Sequence, residues 1–152
     1  MAKVEQKLKE MGIELKELGP CSVPILRVKA AGDLLFVSGH GTNILGKLGE
    51  DLTVEQGYQA AREATINCLS AIKGEIGDLD LVVDFLKVFG MVNSAPDFVR
   101  QPEVINGVSE LLIEAFGEKI GSHARSAVGM GSLPRGIATE VEMILRVKTQ
   151  EE

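Results

Sequence analysis

The amino-acid sequence predicts an α+β fold in which one β-sheet carries two long helices on one face. Three observations support this class. β-rich segments occur in both halves of the chain, two longer segments repeat apolar residues at helical spacing, and neither a repeat nor a linker interrupts the 152 residues. We therefore expect one domain, 1–152, with the element order α-β-β-α-β-α-β-β.

The first third of the chain is predicted to contain a short helix, a hairpin and a loop. Residues 3–11 place apolar side chains at helical spacing, and Gly12 can end that helix. Two β-rich runs, 25–30 and 34–38, flank an Ala-Gly-Asp turn and indicate a hairpin. Residues 39–52 contain four glycines and are predicted to form an exposed loop.

The middle of the chain alternates helix, strand and helix. The most regular helical pattern covers residues 53–76, where Thr53 begins a sequence with capping-box spacing. Residues 81–93 are β-branched and aromatic, which predicts a strand. After a short turn, a second long helix is expected to start near Pro102 and to end at Gly117.

The last part of the chain is predicted to be a second hairpin. Its strands are 124–130 and 137–147, joined by a turn at 132–136. In the last strand every second residue is predicted to face the core, namely Thr139, Val141, Met143, Leu145 and Val147. Glu140 and Glu142 then share the opposite face.

The composition excludes several classes of function. The net charge is −6, and 4% of the residues are aromatic, which disfavours a nucleic-acid surface. No apolar stretch is long enough to span a membrane and no secretory h-region is visible, so a cytoplasmic protein is expected. Cys21 and Cys68 are too few for a disulfide framework or a four-ligand zinc site.

The histidines and the glycine-rich stretch give weak signals. The glycines around His40 lack the spacing of a dinucleotide or Walker loop, and Gly-x-Ser-x-Gly does not occur. No acidic or cysteine cluster accompanies His40 or His123, so we expect no metal site. His40 directly follows a strand and lies in a glycine-rich loop, where a pocket could form, although a surface role or packing within the loop suits it at least as well.

Arg125 is the more informative candidate. Its neighbours in the strand are small or apolar, which leaves room above the guanidinium, and the planar fork suits a carboxylate. The alternative is a surface arginine paired with Glu140 or Glu142. If the hairpin register places Arg125 on the face of these glutamates, one arginine and two carboxylates could hold an anionic group and position a water.

Three segments resemble one protein family. Residues 122–144, SHARSAVGMGSLPRGIATEVEMI, resemble the C-terminal signature of the RidA (YjgF-like) reactive-intermediate deaminases. Residues 34–39, LLFVSG, resemble that family's second strand, and NSAPDF at 93–98 resembles a longer branch labelled endoribonuclease or translation-inhibitor-like. The resemblance implies a ββαβαββ fold like chorismate mutase of the AroH type. It also implies a homotrimer with sites in clefts between subunits, and no metal or organic cofactor.

The resemblance also implies roles for individual residues. Arg125 matches the arginine that holds the substrate carboxylate, and Glu140 matches the glutamate that positions the hydrolytic water. Ser38 and Gly39 match the strand end that lines the pocket, and Asn106 matches an asparagine near the start of the second long helix. The implied reaction is hydrolysis of 2-imino or 2-enamino acids to 2-keto acids and ammonia.

The pocket departs from the family pattern at two positions. Ala127 stands where many members have cysteine, although backbone groups near it could bind the water, and Ile25 stands where a tyrosine often lies. A trimer that binds small carboxylates without turnover is therefore the alternative function. An endoribonuclease is the least favoured because of the charge and aromatic content, and chorismate mutase activity would rest on fold analogy alone.

Overall fold

The computed structural model describes residues 2–149 and shows one five-stranded sheet with its helices on one face. The elements are α1 Lys3–Glu10, β1 Val28–Ala31, β2 Leu34–Gly41, α2 Val54–Ile76, β3 Val82–Asn93, α3 Gln101–Phe116, α4 Glu118–Gly121, β4 Ala124–Met130 and β5 Thr139–Val147. Short 3-10 turns, Leu79–Leu81 and Pro134–Gly136, precede β3 and β5. The predicted fold class is confirmed, and α4 is an additional single turn.

The strand order is β1-β2-β5-β3-β4, and it corrects the predicted second hairpin. β4 pairs with β3 in parallel, whereas β5 lies between β2 and β3 and is antiparallel to both. The linking residues 131–138 pass the end of β3, where Asn93 N donates to Ala138 O and Ser94 N donates to Met130 O. Alternation shows which face of a strand is apolar, but it does not identify neighbouring strands.

Burial explains why β5 takes a central position. Its five predicted core residues are between 0% and 9% exposed, so the predicted core face is confirmed. β4 has no fully buried residue, as expected of an edge strand. The apolar face of the sheet packs against α2 and α3, and the largest fully buried side chains of this core include Phe85, Leu69, Ile105, Leu111 and Leu145.

The helices follow their sequence signals closely. Thr53 and Gln56 form the predicted capping box, in which Gln56 N donates to Thr53 Oγ1 and Thr53 N donates to Gln56 Oε1. Gly117 ends α3 with a positive φ of 84°, a conformation that favours glycine. The described part of the chain contains no helix with the length and apolar character needed to cross a membrane.

Two predicted segments of the first half differ from the structure. The first strand begins at Val28 instead of residue 25, because residues 22–25 form a bend in which Ile25 N donates to Val23 O, and pairing with β2 starts at Val28. β2 continues to Gly41, and the segment after it is not uniformly exposed, since Leu48 is fully buried and its N–H donates to Asn93 O. The glycine content of residues 39–52 therefore predicted a loop that is longer and more exposed than the one observed.

Candidate functional site

Arg125 lies on the edge strand β4 and points towards α3. One guanidinium nitrogen, Nη1, donates to Asn106 Oδ1 at 2.9 Å and to Ser109 Oγ at 3.1 Å. Asn106 and Ser109 lie three residues apart on α3, so they share a helix face. The structure thus brings together two residues that the sequence singled out, and adds Ser109.

His123 extends this cluster. Its Nδ1 lies 2.7 Å from Gly121 O and its Nε2 lies 2.8 Å from Ser109 Oγ. Because a carbonyl oxygen only accepts, Nδ1 carries the proton, and in the neutral ring Nε2 accepts from the Ser109 hydroxyl. Burial lowers the pKa of His123, with a smaller lowering from the Arg125 charge, which favours that neutral ring. We call Arg125, Asn106, Ser109 and His123 the Arg125 cluster.

Within the described part of the chain, the charge of Arg125 has no acidic partner. Residues 2–149 contain no ion pair to its guanidinium, and both of its hydrogen-bond partners are neutral. The expected alternative, pairing with Glu140 or Glu142, is wrong. β3 separates β4 from β5, and the buried residues of β5 show that both glutamates lie on the face away from α3. A half-buried, uncompensated guanidinium is suited to an anionic group.

A bulge in β2 shapes the surroundings of Glu140. The pairs Val37–Met143 and His40–Val141 enclose one more residue on β2 than on β5. A Cβ on Gly39 would lie 2.7 Å from Glu140 Oε2, so the carboxylate occupies space that only glycine leaves free. The structure therefore places Gly39 directly beside Glu140.

Ser38 and His40 have internal partners. Ser38 Oγ donates to Leu26 O at 2.6 Å, and His40 Nδ1 lies 2.7 Å from Ser38 O. His40 is 8% exposed, so the expectation that it lies in an exposed loop is wrong. The bulge turns it back towards the helix face. Cys68 is fully buried on α2, and burial raises the pKa of its thiol, as expected for a core residue.

Glu140 borders a groove of about 520 Å³ at the end of β2 and β5. We call it the Glu140 groove, and its polar lining includes Gly39, Thr42, Asn43, Asn67, Arg135 and Glu140. Partial burial raises the pKa of Glu140, and repulsion from Glu142 adds to this shift. A carboxylate with a raised pKa exchanges protons more readily near neutral pH.

The two groups of residues do not meet within one chain. The Arg125 cluster lies between the edge strand β4 and α3, whereas the Glu140 groove lies at β2 and β5, beyond β3. Among residues 2–149, no group of three or more histidine, cysteine or acidic side chains could hold a metal ion.

Sequence reasoning missed Ser109 and the contact between His123 and the cluster. The spacing of Asn106 and Ser109 on one helix face was a visible signal. The contact with His123 was not visible, because it depends on the turn α4 that places His123 beside α3.

Comparisons with known proteins agree with this architecture. The family model described as "YjgF/chorismate_mutase-like, putative endoribonuclease" matches residues 2–141. Protein TCP17 of Trypanosoma cruzi is 36% identical over 151 residues, which cover 95% of this chain and 94% of that protein.

Two crystal structures are similar over nearly their whole length. Atu1372 from Agrobacterium tumefaciens, whose function is described as unknown, is 34% identical to this chain and superposes with a TM-score of 0.88. The match covers 97% of this chain and 93% of the Atu1372 chain. A "putative endoribonuclease" from Shewanella oneidensis superposes with a TM-score of 0.90 at 28% identity, with coverages of 95% and 99%. The family model and these relatives together show that this chain belongs to the YjgF (RidA-like) family.

Proposed function

We propose that the chain is a deaminase that hydrolyses 2-imino and 2-enamino acids to 2-keto acids and ammonia. The observation that carries this proposal is the uncompensated guanidinium of Arg125, held in place by two neutral side chains. Such a group binds and orients a carboxylate through its planar fork of N–H donors. The same reaction is implied by the resemblance of residues 122–144 to the RidA (YjgF-like) deaminases.

The complete site of this proposal lies between subunits of a homotrimer. Arg125 lies on the edge strand β4, whereas Glu140 lies on the central strand β5 and Gly39 on β2. The proposal therefore requires a closed ring of copies in which the β4 edge of one chain lies against the β2–β5 region of the next. Phe36, 43% exposed and paired with Ile144 on the open face of the sheet, supplies apolar surface for such an interface.

The reaction needs orientation, a water and proton transfer. Arg125 holds the carboxylate of the 2-imino acid, which places C2 beside Glu140 of a neighbouring copy. Glu140 accepts a proton while the water oxygen bonds to C2, and it returns that proton to the nitrogen, which gives a carbinolamine. Glu140 then accepts the remaining hydroxyl proton and passes it to the nitrogen as the C2–N bond breaks, so that ammonia leaves and the C2=O bond forms. An enamine joins this route by gaining a proton at C3 and losing one from nitrogen.

The size of each contribution follows from general principles. Fixed orientation of the reactants accounts for several kcal/mol of the barrier, and acid–base help from Glu140 for about 10²–10⁴-fold in rate. Ala127, half-buried on β4, offers only its backbone groups, so the route uses no thiol.

Carboxylate binding without turnover is the second candidate. It is favoured by Ala127 and Ile25, which provide neither a thiol nor a phenol near the proposed cleft. In that case the trimer binds small carboxylates at Arg125 as a regulatory protein. The two candidates share the ligand chemistry and differ only in hydrolysis.

A coupled assay tests the proposal. An amino-acid oxidase generates 2-imino acids, and semicarbazide traps those that remain unhydrolysed. We expect the wild type to lower semicarbazone formation. The variants Arg125→Ala and Glu140→Gln should lose this effect. The control variant Arg100→Gln should retain it, because Arg100 is exposed and lies outside both groups. No hydrolysis of any imine by a folded wild-type trimer would contradict deamination and favour the regulatory alternative.

A further inference from the structure

Among the residues that the structure describes, Arg135 is the one cationic side chain that lines the Glu140 groove. Within residues 2–149 its guanidinium forms no hydrogen bond and no ion pair, including none to Glu140. The groove thus holds a positive charge that the fold does not use.

Several neutral polar groups of the groove are already engaged, whereas the Glu140 carboxylate forms no hydrogen bond or ion pair within residues 2–149. Asn67 Nδ2 donates to Gly41 O at 2.9 Å, and Thr42 Oγ1 donates to Glu63 Oε1 at 3.2 Å. The backbone N–H of Asn43 also donates to Glu63. A ligand that enters the groove therefore meets the Glu140 carboxylate, which the proposed reaction uses, and one available cation, Arg135.

The backbone at Arg135 gives independent support. Its φ of 58° and ψ of 15° lie in the left-handed region, and no other described residue except glycine has a positive φ. Hydrogen bonds on both sides hold this turn, from Gly136 N to Leu133 O and from Gly46 N to Gly136 O. Strained backbone that is held in this way is typical of functional positions.

We propose that Arg135 selects 2-imino acids that carry a second carboxylate at the end of the side chain. This inference rests on the proposed function, because it takes C2 of the substrate to lie beside Glu140. With the first carboxylate on Arg125 of a neighbouring copy, the remaining part of the substrate extends along the groove. A terminal carboxylate then meets the guanidinium of Arg135, whose fork suits it.

The test compares ligands of equal chain length. 2-Oxoglutarate and 2-oxopentanoate each have five carbons and differ in the terminal carboxylate, and the imines formed from glutamate and norvaline differ in the same way. Calorimetric titration measures binding of the two keto acids, and the coupled assay measures hydrolysis of the two imines. The variants are Arg135→Gln and Arg135→Lys, with Arg100→Gln as the matched control.

We expect the wild type to favour the five-carbon dicarboxylates, and Arg135→Gln to lose about tenfold in kcat/KM and affinity for them alone. Arg135→Lys keeps the charge and should retain part of this preference. Glutamine bears the same backbone strain as arginine, so folding should be little affected.

Two further outcomes separate this inference from the proposed function. If the norvaline imine is hydrolysed but neither ligand pair shows a preference that depends on Arg135, the selectivity is overturned and deamination stands. If no imine is hydrolysed but 2-oxoglutarate binds more tightly through Arg135, deamination fails and the dicarboxylate site stands.

Discussion

Replacing Gly39 by alanine tests whether the bulge in β2 positions Glu140. The added Cβ would lie 2.7 Å from Glu140 Oε2 and 3.0 Å from its Cδ, whereas ordinary contact starts at 3.4 Å. The carboxylate oxygen must therefore move by about 0.7 Å or more. Misplacement of a reacting group by about 1 Å costs about 10²-fold in rate, so we expect kcat/KM for imine hydrolysis to fall by one to two orders of magnitude.

The same substitution should leave the fold intact. The atoms that the new methyl group meets belong to the end of a flexible side chain, and Gly39 does not have a positive φ. Gly→Ala exchange at compatible positions stabilises by about 0.4–1 kcal/mol, which offsets the displacement of Glu140. We therefore expect a free energy of unfolding within about 1 kcal/mol of wild type in urea denaturation.

Two controls isolate the effect. Gly74→Ala adds a methyl group where nothing lies within 4 Å, so its kcat/KM should match wild type. In the Glu140→Gln background, Gly39→Ala should cause no further loss, because the displaced group is already inactive. Wild-type kcat/KM in Gly39→Ala at unchanged stability would refute the reasoning.

Three further predictions concern the cluster, the core and pH. Asn106→Ala removes one acceptor from Arg125, so KM for 2-imino acids should rise about tenfold with kcat less affected; an unchanged KM in steady-state kinetics would contradict this role. Phe85→Ala removes a buried ring that packs edge-to-face on Phe116 at 4.8 Å and should lower the free energy of unfolding by about 3–5 kcal/mol in urea denaturation, far more than a surface change. Folding raises the pKa of Glu140, so ionisation of this carboxyl lowers the free energy of unfolding. This loss is absent at pH values below the pKa of Glu140 in the unfolded state and is complete above its pKa in the folded state. Glu140→Gln should therefore stabilise the protein at pH 7 and not at pH 3, and equal gains at both pH values in denaturation curves would contradict the pKa shift.

Local patterns in the sequence predicted most elements. The capping spacing at Thr53 marked the start of α2, and the strict alternation of β5 identified its buried face. These features depend on residues close in the chain, so the sequence contains them directly. Strand neighbours depend on contacts between distant residues, which is why β5 was paired with β4 instead of β2 and β3.

For the candidate site, the sequence predicted individual residues but not the backbone geometry around them. Arg125 and Asn106 were named from their chemistry and from resemblance, and the structure places them in contact. The bulge that buries His40 was not predictable, because one extra residue in a strand leaves no distinct mark in a glycine-rich stretch. The positive φ of Arg135 was equally hidden, since the turn is held by contacts with residue 46.

The central position of β5 has a consequence for folding. β5 follows every other strand and helix of residues 2–149, yet it supplies the pairing that joins β2 to β3. During synthesis these two strands keep unpaired edges until β5 emerges from the ribosome, and such edges are prone to aggregation. The sheet then closes through contacts between distant parts of the chain, which slows folding compared with a helical protein of similar size.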